Sequence, residues 1–217
     1  MPMRFRNRLI LALDLTDCKR ALEIVEAVKE HIDAVKINWP AVLSCGPDIV
    51  DSISRDIPVI CDFKIADIPN TSRLIAENAF NRGAAGIIMH AFSGEDSLSV
   101  VKAVADIHNG MVFSVVEMTH PGAVESYRGI IDRLIELTLR AGVRGFIAPG
   151  TRPKRISYLR KKAGEEALIL SPGIGVQGGD GREALSAGAD CIIVGRAIYN
   201  SHDPEKAAEK IVRSLRD

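Results

Sequence analysis

Two carboxylates and one ammonium group, those of Asp62, Asp67 and Lys64, are the residues of this chain best suited to chemistry. They follow an apolar run, Ile57 to Cys61, that reads as a buried strand. On a strand, Asp62 and Lys64 share a face, while Asp67 falls just past the strand end, where a turn leads back to the same site or to a partner chain. Buried charges need partners and shift one another's pKa values. The segment is therefore either a structural ion-pair cluster or a site that stabilises charge and moves protons.

Glycine and arginine form a second pattern near the C-terminus. Residues 171–180 read Ser-Pro-Gly-Ile-Gly-Val-Gln-Gly-Gly-Asp, and Gly195 and Arg196 close a later apolar run. Glycine lets backbone N–H groups approach an anion, and a guanidinium can donate two hydrogen bonds to a phosphate. A glycine-rich loop alone is often only a turn, but its pairing with Arg196 predicts a phosphate site. Gln177 either holds that phosphate and bridges to the opposite rim or is a solvated loop amide.

Eight apolar runs, each followed by helical periodicity, must position these residues. Alternating strands and helices imply parallel pairing, and eight such units close into a barrel. A doubly wound open sheet is the alternative, but no G-x-G-x-x-G follows the first strand. We therefore predict an α/β fold, a TIM (β/α)8 barrel, as a single domain over residues 1–217. The predicted strands are Leu9–Leu13, Ala34–Asn38, Val59–Phe63, Gly86–His90, Val112–Met118, Gly145–Ala148, Leu168–Ser171 and Cys191–Val194.

Apolar periodicity also predicts which helix faces point inward. The last helix should begin with Asp203 as its N-cap and Pro204 in its first position. The predicted inward residues are Ala21, Ile24, Val25 and Val28, then Leu74, Ile75 and Asn78 beside Ala79, and finally Ala207, Ala208, Ile211, Val212 and Leu215. In such barrels the carboxyl ends of the strands carry the chemistry, which predicts one convergent site. The residues at these ends are Asp14, Lys36, Asp62, Lys64 and Thr119.

Composition narrows the range of partners and locations. The chain has 28 basic and 28 acidic residues, so no overall field favours nucleic acid or a membrane surface. Cys18, Cys45, Cys61 and Cys191 are widely scattered, which predicts free thiols and no metal site. Residues 1–8 lack the apolar core of a signal peptide, and no apolar run approaches the ~20 residues of a membrane span. We expect a cytoplasmic protein without a membrane partner.

These motifs together resemble the orotidine 5′-monophosphate decarboxylase family, over nearly the whole chain. The D-x-K-x-x-D core followed by Ile68 and Pro69 is the most specific part. The resemblance implies decarboxylation of orotidine 5′-monophosphate to uridine 5′-monophosphate in pyrimidine biosynthesis, with no cofactor and no metal. The matching segments are Leu9–Asp14, Val35–Ile37, Asp62–Pro69, Ser171–Gly175 and Val194–Arg196.

The resemblance also implies roles for individual residues in a homodimer. Thr119, in the loop from Glu117 to Gly122, stands where the family usually has Ser and would contact the pyrimidine edge. The charged array would comprise Lys36, Asp62, Lys64 and a partner-derived Asp67. Asp14 and Lys36 would hold the ribose hydroxyls with the partner's Thr71, and Gln177, Gly195, Arg196 and Tyr199 would surround the phosphate.

The implied mechanism starts from charge placement. Loss of CO2 from C6 of the pyrimidine leaves a carbanion, and Lys64 would stabilise it and then deliver a proton. Asp62 would lie beside the departing carboxylate. His90 and His120 are left out as packing or hydrogen-bonding residues, and Trp39 and Met118 as lining.

Two other functions fit parts of the sequence. The sister group of sugar-phosphate enzymes, such as 3-keto-gulonate 6-phosphate decarboxylase, shares D-x-K-x-x-D but uses Mg2+. Lys36 disfavours that assignment, because a second ammonium competes with a cation. A catalytically silent nucleotide sensor is the other alternative, but it has no need of the proton donor Lys64.

Overall fold

Eight parallel strands close into a barrel in sequence order, with β8 paired to β1. The structure is a computed structural model and describes residues 5–216. The strands are β1 Leu9–Leu13, β2 Ala34–Asn38, β3 Val59–Ile65, β4 Gly86–His90, β5 Met111–Val115, β6 Gly145–Ile147, β7 Leu168–Pro172 and β8 Cys191–Val194. The predicted TIM barrel is confirmed, and residues 1–4 and 217 of the predicted domain lie outside the described part.

Helices follow the strands around the outside of the barrel. They are α1 Cys18–Val28, α2 Trp39–Cys45, α3 Asp48–Ser54, α4 Pro69–Asn81, α5 Glu95–Ile107, α6 Ala123–Tyr127, α7 Ile131–Arg140, α8 Pro153–Ala163, α9 Gly181–Ser186, α10 Arg196–Tyr199 and α11 Pro204–Ser214. Asp203 caps α11 as predicted, since its side chain accepts a hydrogen bond from the backbone N–H of Lys206. No helix within residues 5–216 has the length and apolar character needed to cross a bilayer.

Strand β5 ends three residues earlier than the predicted Val112–Met118. Its neighbour β6 spans only Gly145–Ile147, so the last ladder pair joins Val115 to Ile147. Residues after Val115 have no further partner on that side and form a loop. Strand β3, in contrast, continues two residues beyond the predicted Phe63 to Ile65, which pairs with Met89 of β4.

Alternate residues of the strands fill the barrel or face the helices. Leu9, Leu11 and Leu13 pack under the helices, whereas Ile10 belongs to the interior cluster that includes Phe113. Because this interior is packed with apolar side chains, polar side chains collect at the carboxyl ends of the strands. The inward series of β2 runs from apolar Ala34 to Lys36 and Asn38 at the mouth.

The predicted inward face of α1 is confirmed, whereas that of α4 is confirmed only at Ala79. On α4, Leu74 and Asn78 are exposed and Ile75 is only half-buried. The buried face instead comprises Ser72, Ala76, Ala79 and Phe80. Three of these four side chains are small and allow α4 to pack closely on the barrel, while Leu74 is left on the outer face. In α11, Ala208 and Val212 are buried and the other predicted residues are half-buried.

Cys18 and Cys45 form a disulfide, so the prediction of four free thiols is wrong for this pair. Cys18 begins α1 and Cys45 ends α2, with their Cα atoms 5.4 Å apart. No sequence spacing signals a contact that the packing of α1 beside α2 creates. Cys61 and Cys191 are free and buried, and burial raises the pKa of the Cys61 thiol to about 12.

Reduction of this disulfide is expected to lower the free energy of unfolding by roughly 3 to 4 kcal/mol. The bond joins residues 27 positions apart, and breaking it returns loop entropy to the unfolded chain. Urea denaturation with and without a reductant measures the change. A Cys18→Ser/Cys45→Ser variant should have the same free energy of unfolding as the reduced protein, and the reductant should not change it. Equal stability of the oxidised and reduced wild-type protein would contradict this expectation.

Candidate active site

A cavity of about 230 Å³ opens at the carboxyl ends of the strands. Its walls combine Asp14, which follows β1, and charged side chains of β2 and β3 with the loops that follow β5, β7 and β8. Apolar residues of the barrel interior, including Ile88 and Ile193, form the rest of the lining. Eight predicted site residues meet here: Asp14, Lys36, Asp62, Lys64, Thr119, Gln177, Gly195 and Arg196.

Asp62 lies between two ammonium groups. Lys36 Nζ donates to Asp62 Oδ2 at 2.7 Å, and Lys64 Nζ donates to both carboxylate oxygens at 2.8 Å. Lys36 and Asp62 are buried, while the Lys64 side chain is 37% exposed. Burial alone would raise the pKa of Asp62, but the two ammonium groups outweigh it and lower the pKa below its usual value. The carboxylate therefore stays ionised in a site with two cations.

The backbone of Lys64 is left-handed, with φ of 45°. The pairing of β3 with β4 shifts register between Cys61 and Ile65, so Lys64 lies within an irregular part of the strand. A non-glycine residue rarely adopts this conformation, and such residues concentrate at functional sites. This irregular residue carries the ammonium that donates to the carboxylate of Asp62.

The loop after β7 folds back on itself through backbone hydrogen bonds. Gly175 N–H donates to Gly179 O, and Gly179 N–H donates to Gly173 O, both at 3.0 Å. Gly173 and Gly175 have φ of 95° and 77°, a region that favours glycine. This closed loop brings the exposed Gln177 to the cavity beside Arg196, which begins α10.

Tyr199 lies next to this cavity. Its ring is close to Gly195, since a Cβ at Gly195 would come within 3.2 Å of Tyr199 Cε1. Burial raises the pKa of the Tyr199 hydroxyl, the nearby Asp14 carboxylate adds to the increase, and Arg196 opposes it. Tyr199 is thus close to three residues of the cavity wall, Gly195, Asp14 and Arg196.

Asp67 and Thr71 do not join the cavity of their own chain. Asp67 is exposed, and its Oδ1 accepts a hydrogen bond from Ile68 N–H at 2.7 Å. Thr71 lines a separate apolar groove of about 310 Å³ beside Trp39 and Leu74. These two residues therefore lie on an outer face at the start of α4.

This chain matches known proteins over most of its length. Residues 7–211 match the model of the orotidine 5′-phosphate decarboxylase / HUMPS family. A relative from Methanococcoides burtonii named orotidine 5′-phosphate decarboxylase is 50% identical over 96% of this chain and 97% of its own. The chain belongs to this family. The predicted family, and with it the prediction of a carboxy-lyase enzyme, is confirmed.

Solved structures of the orotidine 5′-phosphate decarboxylase family have the same fold. The Methanocaldococcus jannaschii enzyme, complexed with the inhibitor BMP, has a TM-score of 0.91 and 42% identity, with full coverage of both chains. The Pyrococcus horikoshii enzyme has a TM-score of 0.89 and 46% identity, covering 96% of this chain and 99% of that one.

The sequence analysis missed two residues of the cavity wall in this decarboxylase family member, and the two arginines that pair with one of them. Asn38 lines the cavity at the end of β2, and Glu117 lines it after β5. Arg152 and Arg155, before and within the first turn of α8, make ion pairs with Glu117. Only Asn38, two positions after Lys36 on the same strand face, carried a spacing signal that could have found it.

His90 makes a hydrogen bond, in agreement with the predicted packing or hydrogen-bonding role. Its Nδ1 lies 3.2 Å from the Tyr127 hydroxyl, and its ring stacks on Phe92. Burial, followed by the charge of Lys64, lowers the pKa of His90 to about 4, with Asp62 opposing the change. The imidazole is therefore neutral near pH 7. Within residues 5–216, no group of three or more His, Cys, Asp or Glu side chains is arranged to hold a metal.

Proposed function

We propose that this chain decarboxylates orotidine 5′-monophosphate to uridine 5′-monophosphate, the last step of pyrimidine nucleotide synthesis. The observation that carries the proposal is the buried carboxylate of Asp62 between Lys36 and Lys64, facing a cavity whose far wall has Arg196 and a glycine-rich loop. Relatives at 42 to 50% identity carry the name of this activity. The charged groups are proposed to act on the reacting carbon, and the glycine-rich loop with Arg196 is proposed to bind the phosphate.

The reaction needs no electron sink if Lys64 stabilises the negative charge that develops on C6. The bond from C6 to the carboxylate breaks, CO2 leaves, and the electron pair stays on C6. The Lys64 ammonium stabilises this carbanion and then transfers a proton to C6, and solvent later returns a proton to the amine. The hydrogen bonds from Lys64 to Asp62 hold the ammonium in one place, so little reorganisation is needed during the reaction.

Asp62 contributes by its position as well as by its pairing. Its carboxylate would lie beside that of the substrate, and their repulsion is relieved as CO2 leaves. Lys36, held by Asp62 at 2.7 Å, would present its remaining N–H donors to a ribose hydroxyl together with Asp14. Electrostatic stabilisation by Lys64 is the main part of the proposed catalysis.

The phosphate is proposed to bind far from the reacting carbon. Arg196 and the amide of Gln177 would hold its oxygens with Gly195 and Tyr199, and Thr119 would contact the pyrimidine edge. Binding energy from this unreactive group would close the loop after β7 over the substrate. Val176 beside Gln177 is 60% exposed, so this loop has an apolar side chain free to bury on closure.

A homodimer is proposed to complete the site with the partner's Asp67 and Thr71. Both residues lie outside the cavity of their own chain, on a face rich in exposed apolar side chains. Trp39 is 43% exposed, Ile68 66% and Leu74 44%. Such a patch is typical of a surface that another protein covers. A carboxylate brought from this face would add a second negative charge to the lysine pair.

We propose a single domain in the cytoplasm. The Cys18–Cys45 disulfide removes the argument from free thiols, so the location rests on the proposed nucleotide substrate. Intracellular disulfides do occur in organisms that grow at very high temperature.

Conversion of orotidine 5′-monophosphate is expected to survive exhaustive chelation, because lysines occupy the place that a metal takes in the sugar-phosphate enzymes. The change in ultraviolet absorbance on mixing enzyme and substrate measures the rate, before and after dialysis against EDTA. Loss of turnover that Mg2+ restores would favour the metal-dependent sister group. Binding of uridine 5′-monophosphate without any conversion of the substrate would favour a nucleotide sensor.

A further inference from the structure

Glu117 is a buried carboxylate in the cavity wall to which the proposed mechanism gives no role. It is only 4% exposed, two residues beyond the end of β5. Its Oε2 accepts a hydrogen bond from Arg155 Nε at 3.1 Å, and its Oε1 lies 3.4 Å from a terminal nitrogen of Arg152. We call these three residues, Glu117, Arg152 and Arg155, the carboxylate clamp.

The carboxylate clamp joins two parts of the fold that no regular structure connects. Residues 116–119, the first part of the segment between β5 and α6, belong to neither a strand nor a helix, because the ladder with β6 ends at Val115. Arg152 also donates a hydrogen bond to the backbone carbonyl of Met118, the residue before Thr119. Side-chain contacts to α8 therefore set the position of this loop.

Burial makes these contacts obligatory. A carboxylate removed from water is strongly destabilising unless cations and hydrogen bonds remain with it. If the loop moved away from α8, Glu117 would lose Arg155 and Arg152, and Met118 would lose its donor. The loop is thus held to one position more firmly than an ordinary surface loop.

Thr119 is the residue that benefits from this restraint. Its side chain faces the cavity and packs against the loop after β7, since a Cβ at Gly173 would lie 3.1 Å from Thr119 Cγ2. A hydroxyl gives useful selectivity only when its position is fixed relative to its partner. We infer that Glu117 is a positioning residue that, through Arg152 and Arg155, holds Thr119 at the pyrimidine edge of the nucleotide. This inference rests on the proposed function.

The carboxylate clamp should then affect binding of the base but not binding of the sugar phosphate. Glu117→Gln is expected to weaken binding of uridine 5′-monophosphate about 3- to 10-fold, the value of one neutral hydrogen bond. Binding of ribose 5-phosphate, which lacks the base, should not change. Arg155→Met, which removes a cation from the other side of the clamp, should have the same selective effect. Calorimetric titration of both ligands measures the two affinities.

Glu136→Gln is the matched control. Glu136 also lies between two arginines, Arg133 and Arg140 at 3.1 Å each, but on the exposed surface of α7. This variant should bind both ligands like the wild-type protein. Conversion of orotidine 5′-monophosphate by the wild-type protein is measured in parallel, so that failure of the proposed function is recognised separately from failure of the clamp.

A Thr119→Ala background gives the decisive comparison. If Glu117 acts through Thr119, Glu117→Gln should cause no further loss of nucleotide affinity once the hydroxyl is absent. The same loss in both backgrounds would overturn the inference, because Glu117 would then act by another route. Equal weakening of uridine 5′-monophosphate and ribose 5-phosphate would overturn it too, since that pattern indicates a general disturbance of the barrel mouth.

Discussion

Lys64→Ala should lower turnover of orotidine 5′-monophosphate by at least about 10⁴-fold while leaving affinity for uridine 5′-monophosphate measurable. A positioned acid contributes about 10²- to 10⁴-fold, and one electrostatic stabiliser of the transition state about 10²- to 10³-fold. Lys64 would supply both. The proposed contacts to phosphate and ribose lie elsewhere in the cavity, so binding should persist. Stopped-flow and steady-state kinetics measure turnover, and calorimetric titration with uridine 5′-monophosphate measures binding, so the effects on the two can be separated.

Two further variants isolate the role of the ammonium. Lys64→Arg keeps a positive charge, but a guanidinium does not give up its proton as an ammonium group can. This variant should therefore also be nearly inactive. Lys210→Ala removes an exposed lysine of α11 and should leave turnover unchanged. Ordinary turnover by Lys64→Ala would exclude Lys64 as the proton donor.

Mixed dimers of Lys64→Ala and Asp67→Ala chains should regain about a quarter of wild-type activity, although each variant alone is inactive. In a mixed dimer, one site combines both defects and the other combines a normal Lys64 with the normal Asp67 of the partner. Random assembly makes half of the dimers mixed, and half of their sites are intact. Co-expression with two affinity tags, followed by rate measurement, tests this expectation. Activity no higher than that of the separate variants, in a sample shown to contain mixed dimers, would exclude a shared site.

A mixture of wild-type chains with Lys64→Ala/Asp67→Ala chains provides the reciprocal control. If Asp67 acts across the interface, every site of a mixed dimer is defective, and only wild-type dimers are active. About a quarter of full activity should then remain in an equal mixture. If Asp67 served its own chain, each wild-type chain would keep its site, and about half would remain.

The sequence predicted the residues whose signals are local. The recurring strand and helix periods identified the barrel, and the alternation of Asp62 and Lys64 on one strand identified the charged pair in its cavity. Glu117 and Arg155 escaped prediction because they meet across 38 positions. Their contact depends on where the first turn of α8 meets the loop after β5, which no spacing along the chain reveals.

The wrong face of α4 has a different cause. Leu74 and Ile75 have the periodicity of a buried stripe. The residues that the helix buries are instead Ser72, Ala76, Ala79 and Phe80, three of which are small. Hydrophobicity patterns give more weight to large side chains than to the small ones that permit close approach. Exposed apolar residues on a helix can therefore indicate a surface that a second molecule covers.

At Lys64, the left-handed backbone is unfavourable for folding, but the proposed catalysis requires the lysine side chain. A residue with a Cβ in this conformation costs roughly 1 to 2 kcal/mol, and glycine would remove that cost together with the ammonium. Selection or engineering for thermal resistance alone would favour glycine here and would remove the proposed proton donor from the cavity. Libraries screened for stability should therefore hold position 64 fixed, and the search for stabilising changes belongs at sites remote from the irregular end of β3.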